Sequence, residues 1–189
     1  MSSEDNFGTV EPQSESYSDA VLRYGIIGGL ILVVYGLLGN IFGFARPSAG
    51  MGMILINFLI TAAIYIGLMV MAVRQHREED LGGTIGFGRA FTVAFLAGLL
   101  AGLIGAAFNF VYINYIDPDY AKTIIEESVR MYERMGLSEE QIDQALASMR
   151  EGFEPGRFLM NSLLYTGIMS AIVAAIIGAI MKKSDVPAA

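Results

Sequence analysis

The segment "AFTVAFLAGLLAGLIGAAFNFVYINYI", residues 90–116, decides the fold because it runs for 27 residues without a charged side chain. About 20 helical residues, each rising ~1.5 Å, cross the ~30 Å hydrocarbon core of a bilayer. A helix of a soluble bundle keeps a polar stripe that faces water, and this segment has no such stripe. The segment is therefore predicted to be a transmembrane helix.

Three further segments have the same character and lie at residues 24–44, 51–73 and 158–181, each without a charge. The whole chain is 54% hydrophobic and 16% charged, whereas about a quarter of a soluble globular chain is charged. The sequence therefore predicts an all-α, integral membrane four-helix bundle over residues 20–189. Residues 1–19 carry five acids and no Lys or Arg, which predicts a disordered acidic tail.

The distribution of basic residues predicts the orientation of the bundle, because Lys and Arg near span ends favour the cytoplasmic side. Four spans place both termini on one face. That face carries Arg23, Arg74, Arg77, Arg89, Lys182 and Lys183, whereas the opposite face carries Arg46 and Arg157. This excess of basic residues, six against two, predicts that both termini lie on the cytoplasmic side of the inner (plasma) membrane. The predicted topology anchors are Arg74, Arg77, Arg89, Lys182 and Lys183.

The connection at residues 117–157 is predicted to be an extracytoplasmic, amphipathic helical hairpin. Asp117 is the expected N-cap of its first helix, and Gly136 is the expected stop. Ser138 and Gln141 have the spacing of a capping box that opens the second helix. Mutual packing is expected of the apolar residues Ile124, Ile125, Met131, Tyr132, Ile142, Leu146 and Met149. Ten acids against five bases disfavour contact with anionic lipid.

The stretch "HREEDLGGTIGFGRAF", residues 76–91, raises the question of a phosphate-binding loop. Its glycines have the dinucleotide spacing in reverse, they follow a membrane helix, and no Gly-Lys-Ser/Thr follows. We interpret the stretch as a connection in which Gly82 and Gly83 form a turn and Thr84 caps the next helix. His76 is expected to be a solvated loop residue, since one histidine alone does not make a zinc site.

Small residues recur every four positions in the third span, at Ala94, Gly98, Gly102 and Ala106. Such a ladder allows two helices to approach closely, and these four residues are the predicted helix-packing site. The same spacing occurs at Gly25 and Gly29 in the first span. Packing within one bundle accounts for these ladders, while a second copy of the chain remains the alternative neighbour.

Several classes of function are disfavoured by what the sequence lacks. There is no cysteine, no ionisable residue inside a predicted span, and no basic cluster, while the net charge is −7. No catalytic, cofactor-binding or metal-binding residues are therefore predicted, and nucleic acid is not an expected partner. The expected function is that of a non-enzymatic accessory or interaction protein whose acidic hairpin meets a partner. The alternative is a small oligomeric transporter or channel. The bilayer, and a protein partner or a homo-oligomer, are the expected contacts.

Three stretches together carry a resemblance to a known family. They are "REEDLGGTIGFGRAF" at the opening of the third span, "FNFVYINYIDPDY" at its close, and "GLSEEQIDQALASM" before the last span. From about Arg23 to Lys183 the chain resembles an uncharacterised bacterial family of four-span membrane proteins, a domain of unknown function numbered 4199. The resemblance implies an integral four-span membrane protein and supplies no activity, ligand or site residue.

Overall fold

The computed structural model describes residues 16–183 of the chain, and within them the secondary structure is helical, without strands. Six long helices follow one another: α1 Ser18–Phe42, α2 Met51–Gln75, α3 Phe87–Val111, α4 Tyr120–Arg134, α5 Glu139–Phe153 and α6 Pro155–Met181. A 3₁₀ turn at Pro47–Ala49 links α1 to α2, and π turns at His76–Asp80 and Tyr112–Ile116 extend α2 and α3. The predicted all-α class is confirmed.

Four of the helices, α1, α2, α3 and α6, are long and apolar enough to cross a membrane, with mean hydropathy between 2.1 and 2.4 in their most apolar windows. This is compatible with a multi-pass membrane protein. Three of these helices begin earlier than the predicted spans, α1 at Ser18, α3 at Phe87 and α6 at Pro155, whereas α2 begins at Met51 as predicted. An uncharged run marks the hydrocarbon layer, whereas a helix continues beyond it as long as its backbone hydrogen bonds are satisfied. Arg89 consequently lies inside α3.

The predicted acidic tail falls mostly outside the described residues, because residues 1–15 are not among them. Its last two residues, Ser18 and Asp19, belong to the first turn of α1. Asp19 is an acid near a helix N-terminus, where the helix dipole favours a negative charge. The helical part of the chain therefore begins before residue 20.

The central helix is α3, along which α1 and α6 pack. Glycines of α1 permit this close approach. A Cβ atom at Gly25 would lie 2.6 Å from Leu100 Cδ2, and one at Gly29 would lie 2.6 Å from Ile104 Cβ. Real Cβ atoms do not approach other atoms so closely, so only glycine fits at these two positions of α1.

The ends of α4 and α5 follow local sequence signals in part. Gly136 ends α4 with a φ of +78°, as predicted, and the capping box of α5 is present: the Gln141 N–H donates to Ser138 Oγ at 3.4 Å. The prediction of Asp117 as the N-cap of α4 is wrong. The π turn after α3 uses Asp117 instead, whose N–H donates to the Tyr112 carbonyl at 2.8 Å, and α4 begins at Tyr120 after Asp119.

The apolar side of α5 is covered. Ile142 and Leu146 are buried, and α5 contacts both α4 and α6. The other residues expected to pack there are half-buried: Ile124, Ile125, Met131, Tyr132 and Met149. Most of the apolar surface of α4 and α5 is thus already used within the chain.

Candidate functional site

At one end of the bundle, the start of α1, the end of α2, the start of α3 and the end of α6 meet. The ring of Tyr17, just before α1, lies edge-on to the ring of His76 with 6.1 Å between their centroids. Ile85 and Lys183 exchange two backbone hydrogen bonds of 3.0 and 2.9 Å. Arg77 donates to the Met181 carbonyl at 3.5 Å. The glycine-containing connection is therefore held against the rest of this end.

His76 lies at the centre of this end and is completely buried, with 0% of its surface exposed. The expectation of a solvated loop histidine is wrong. His76 Nδ1 is 2.7 Å from Asp80 Oδ2, and Arg89 Nε donates to His76 Nε2 at 2.9 Å. Because a guanidinium can only donate, Nε2 accepts and the ring proton lies on Nδ1, where it is donated to Asp80. We call these three residues the His76 cluster.

The π turn and two glycines build this cluster. His76 is the first residue of the turn and Asp80 its last, and residues four apart on a helix lie on the same face. Gly82 and Gly83 then reverse the chain with φ values of +63° and +101°, which side chains rarely adopt. Their predicted role as the turn is confirmed. Thr84 does not cap α3, however, because Gly86 occupies the N-cap position and no side chain bonds there.

The chemistry open to the His76 cluster follows from its geometry. Both ring nitrogens of His76 are engaged, so neither is free to accept a substrate proton in this conformation. Asp80 and Arg89 carry opposite charges on the two sides of a neutral ring, which suits a buried structural joint between α2 and α3. Among residues 16–183 there is no group of three or more His, Cys, Asp or Glu side chains that would hold a metal ion.

The remaining predicted anchors lie at the same end. Arg74 Nε donates to Glu78 at 3.1 Å in an exposed i,i+4 pair, and Arg77 also contacts Glu78 at 3.1 Å. Lys182 directly follows α6, and Lys183 contributes the backbone bridge to Ile85. The anchors therefore differ in environment. The Arg74 side chain is exposed, whereas the hydrogen bonds that Arg77 and Arg89 donate are partly buried.

The predicted small-residue ladder of α3 meets more than one neighbour. Ala94 is fully buried, and a Cβ at Gly98 would lie 2.9 Å from Met69 Sδ on α2. A Cβ at Gly102 would instead collide with Thr166 Cγ2 on α6. Ala106 is half-buried. Because α3 is central, Gly98 faces α2, and Gly102, one helical turn later, faces α6.

At the opposite end of the bundle, Glu127 of α4 is buried, with 7% of its surface exposed. Its Oε2 accepts the Ser48 N–H at 3.0 Å, and Arg46 Nη1 is 4.0 Å from its Oε1. The turn between α1 and α2 is thereby joined to α4. The sequence analysis missed this residue, although one signal was present: Glu127 occupies the same helical stripe as Ile124 and Met131.

A second polar contact joins the same elements. The Tyr120 hydroxyl donates to Asn40 Oδ1 at 3.4 Å, and the Tyr120 and Tyr112 rings meet edge-on with centroids 5.5 Å apart. Burial raises the pKa of the Tyr120 phenol, so the phenol keeps its proton and remains a donor. The ends of α1 and α3 and the start of α4 are thus held together by aromatic and polar contacts.

A family model with the description "Protein of unknown function (DUF4199)" matches the chain over residues 23–183. No curated protein and no solved structure matches the chain. The matched segment begins in the second turn of α1 and ends at the backbone bridge of Lys183, and so includes most of α1, the other five helices, the His76 cluster and Glu127 with its partners. The chain belongs to the DUF4199 family of proteins of unknown function.

Proposed function

We propose that this protein is a multi-pass protein of the bacterial inner membrane that acts as a non-enzymatic accessory or interaction protein. In this proposal α4 and α5 form an extracytoplasmic hairpin whose acidic surface binds a partner protein. The observation that carries it is the surface of residues 117–157, where exposed acids outnumber exposed bases by eight to five. The acids are Asp119, Glu126, Glu133, Glu139, Glu140, Asp143, Glu151 and Glu154.

The orientation rests on the basic residues at the His76 end of the bundle. Six Lys or Arg residues lie near the span ends that meet there, and the positive-inside rule favours the cytoplasm for such a face. The α4–α5 end then faces outward. Apart from Arg46 in the short turn between α1 and α2, the basic residues of that end lie in the long connection at residues 117–157, which contributes little to that rule.

A protein is favoured over the lipid surface as the contact of α4 and α5. The acidic excess repels anionic headgroups. Ile142 and Leu146 are already buried, and Glu127 ties α4 to the turn between α1 and α2. The helices that carry the acidic surface are therefore fixed to the rest of the protein. Such a surface can bind a basic surface of a partner by electrostatic complementarity.

The test neutralises three acids at the start of α5, in the combined variant Glu139→Gln, Glu140→Gln and Asp143→Asn. Ser138 and Gln141 remain, so the capping box is kept and the loss of stability should not exceed about 1 kcal/mol. Purification from native membranes in mild detergent should recover a stoichiometric partner with the wild type. The variant should lose that partner, and about 1 M salt should release it from the wild type.

The matched control is Glu78→Gln with Glu79→Gln, which removes two acids at the opposite end of the bundle and should leave the complex intact. A complex that survives neutralisation of α5 would contradict the docking role. Replacement of residues 120–153 by a flexible linker gives a broader test: the four spans should still insert, while a deletion strain should no longer be complemented.

A small oligomeric transporter or channel is the second candidate, and the packing of α2 favours it. Only 11% of its most apolar window is buried, against 28% in α1 and α3. A second copy would cover this face. Because the chain has no cysteine, single cysteines introduced at Leu55 or Leu59 provide clean crosslinking probes. A crosslinked homo-oligomer without a partner would support this candidate over the first.

A further inference from the structure

The buried ring of His76 is held between two groups of opposite charge. Its Nδ1 donates to Asp80 Oδ2 at 2.7 Å, and its Nε2 accepts from Arg89 Nε at 2.9 Å. The second bond requires an Nε2 that carries no proton, because the guanidinium can only donate. The hydrogen bond that joins the end of α2 to α3 therefore exists only while the ring is neutral.

Uptake of a proton by this ring would exchange one partner and keep the other. Histidine is the side chain that ordinarily changes its charge between about pH 5 and 8. Since Nδ1 already holds a proton, the second proton binds Nε2, which then donates and no longer accepts from Arg89. The imidazolium and the guanidinium also repel each other. Asp80, in contrast, keeps its hydrogen bond and gains a positive partner.

The other charged groups at this end of the bundle have partners elsewhere. Tyr17, before α1, presents its aromatic ring to the imidazole. Glu78 and Glu79 are exposed and bind side chains of α2. Arg77 donates to the carbonyl at the end of α6, and Lys183 meets the connection through its backbone. Within residues 16–183, the charges that face the ring are therefore those of the His76 cluster itself.

The bond to Arg89 acts where α2 is held in the bundle. Of the four candidate spans, α2 has the smallest buried share. Its buried residues all lie in its second half, next to the His76 cluster, and are Leu68, Met69, Ala72 and Val73. Release of Arg89 thus loosens α2 at the end that packs against the other helices.

We propose that the His76 cluster is a proton-sensitive joint between α2 and α3. While the ring is neutral, Arg89 is bound and the joint is closed. When the ring takes up a second proton from solvent, Arg89 is released, Asp80 retains the imidazolium, and the connection at residues 81–86 opens. The joint is independent of the acidic surface of α4 and α5.

The first test follows the proton itself. His76 is the only histidine of the chain, so nitrogen-15 NMR spectra of the full protein in detergent micelles report a single imidazole. At about pH 8 only Nδ1 should be protonated, and at about pH 5 both ring nitrogens should be. An Nε2 that remains without a proton at the lower pH would overturn the proposal.

The second test measures the opening by amide hydrogen exchange. The reporters are the N–H groups of Leu81, Gly83 and Ile85, which are hydrogen-bonded in the closed joint. His76→Gln is the matched control, because its amide can donate to Asp80 and accept from Arg89 but does not titrate.

The exchange rate of the wild type is divided by that of His76→Gln at each pH, which removes the intrinsic effect of pH on exchange. This ratio should rise on the order of tenfold between about pH 8 and 5, as expected for the loss of one charge-assisted hydrogen bond. A ratio that does not change with pH would overturn the proposal.

A second variant keeps the test decisive if His76→Gln does not fold. Asp80→Asn can still accept from Nδ1 but lacks the charge that stabilises a buried imidazolium, so the ring stays neutral to lower pH. Its amides should exchange more slowly than those of the wild type at about pH 5. The exposed Glu79→Gln is the control and should open as the wild type does. Equal opening of Asp80→Asn and the wild type would overturn the proposal.

Discussion

Helices α2 and α3 are nearly alike as sequences and different as parts of the structure. With their π turns, the segments Met51–Asp80 and Phe87–Ile116 are each 30 residues long, with mean hydropathy 2.4 and 2.2 in their most apolar windows. Yet 28% of that window is buried in α3 and only 11% in α2. Hydropathy therefore does not determine which helix becomes the centre of the bundle.

Side-chain size accounts for the difference. Ten of the 25 residues of α3 are Gly or Ala, against five of 25 in α2. Small residues let neighbouring backbones approach, and between helices in lipid such packing replaces the hydrophobic effect as the source of association. The first half of α2 instead exposes large side chains at Met51, Met53, Leu55, Ile56, Phe58, Leu59 and Ile60.

The two ends of α2 also differ from each other. The second half buries Leu68, Met69, Ala72 and Val73 and leads directly into the His76 cluster. No residue of the first half is buried. The helix is thus secured at the end where it is joined to α3 by His76 and Arg89, and its other half leaves most of its side chains exposed.

The largest expected effect comes from breaking that joint. His76→Ala removes the buried ring to which Asp80 and Arg89 both bind and should lower the free energy of unfolding by about 3 kcal/mol. Denaturant titration in detergent measures the loss. The neighbouring, exposed Glu79→Ala should change stability by less than about 0.5 kcal/mol. Equal effects of the two substitutions would show that the cluster contributes nothing.

The second prediction contrasts glycines of the two helices. Gly102→Leu places a side chain against Thr166 of α6 and should cost about 1 to 3 kcal/mol through overpacking. Gly67→Leu in α2 meets nothing within 4 Å of its Cβ and should be neutral, or stabilising by up to about 1 kcal/mol through helix propensity. Thermal unfolding in detergent distinguishes them. A destabilised Gly67→Leu protein would mean that α2 has an additional neighbour.

A smaller difference is expected within α2. Met69→Ala removes a side chain that is 1% exposed and should lower the free energy of unfolding by about 1 to 2 kcal/mol. The loss comes from the cavity that the substitution leaves, since transfer of the side chain out of water makes no contribution within lipid. Leu59→Ala removes a side chain that is 57% exposed and should cost less than about 0.5 kcal/mol. A large loss for Leu59→Ala in native membranes, absent in the monomer, would indicate a second copy on this face.

The smallest effect is expected at the exposed pair beside the joint. Arg74→Ala breaks the bond to Glu78 and should cost no more than about 0.5 kcal/mol, as exposed i,i+4 ion pairs do. Salt should reduce even this difference. A loss of stability comparable to that of His76→Ala would show that the exposed basic residues at this end, and not the His76 cluster alone, join α2 to α3.

The sequence was sufficient for features that depend on neighbours along the chain. The long apolar runs predicted the four candidate spans. The end of α4 was predicted from Gly136, the start of α5 from the Ser138–Gln141 capping box, and a turn from Gly82 and Gly83. The start of α4 was missed by two residues, because the π turn after α3 ends at Asp117 and the N-cap position falls on Asp119.

The sequence by itself determined which segments are helical, which helices are apolar enough to span a membrane, and where glycine reverses the chain, because hydropathy and backbone preference act over a few residues. Only the tertiary structure decided which polar groups are buried. The partners of His76 include Arg89, 13 residues away, and Glu127 binds Ser48, 79 residues away. Burial of a polar group depends on what folds against it, and so His76 looked solvated in the sequence and proved to be the centre of one end of the bundle.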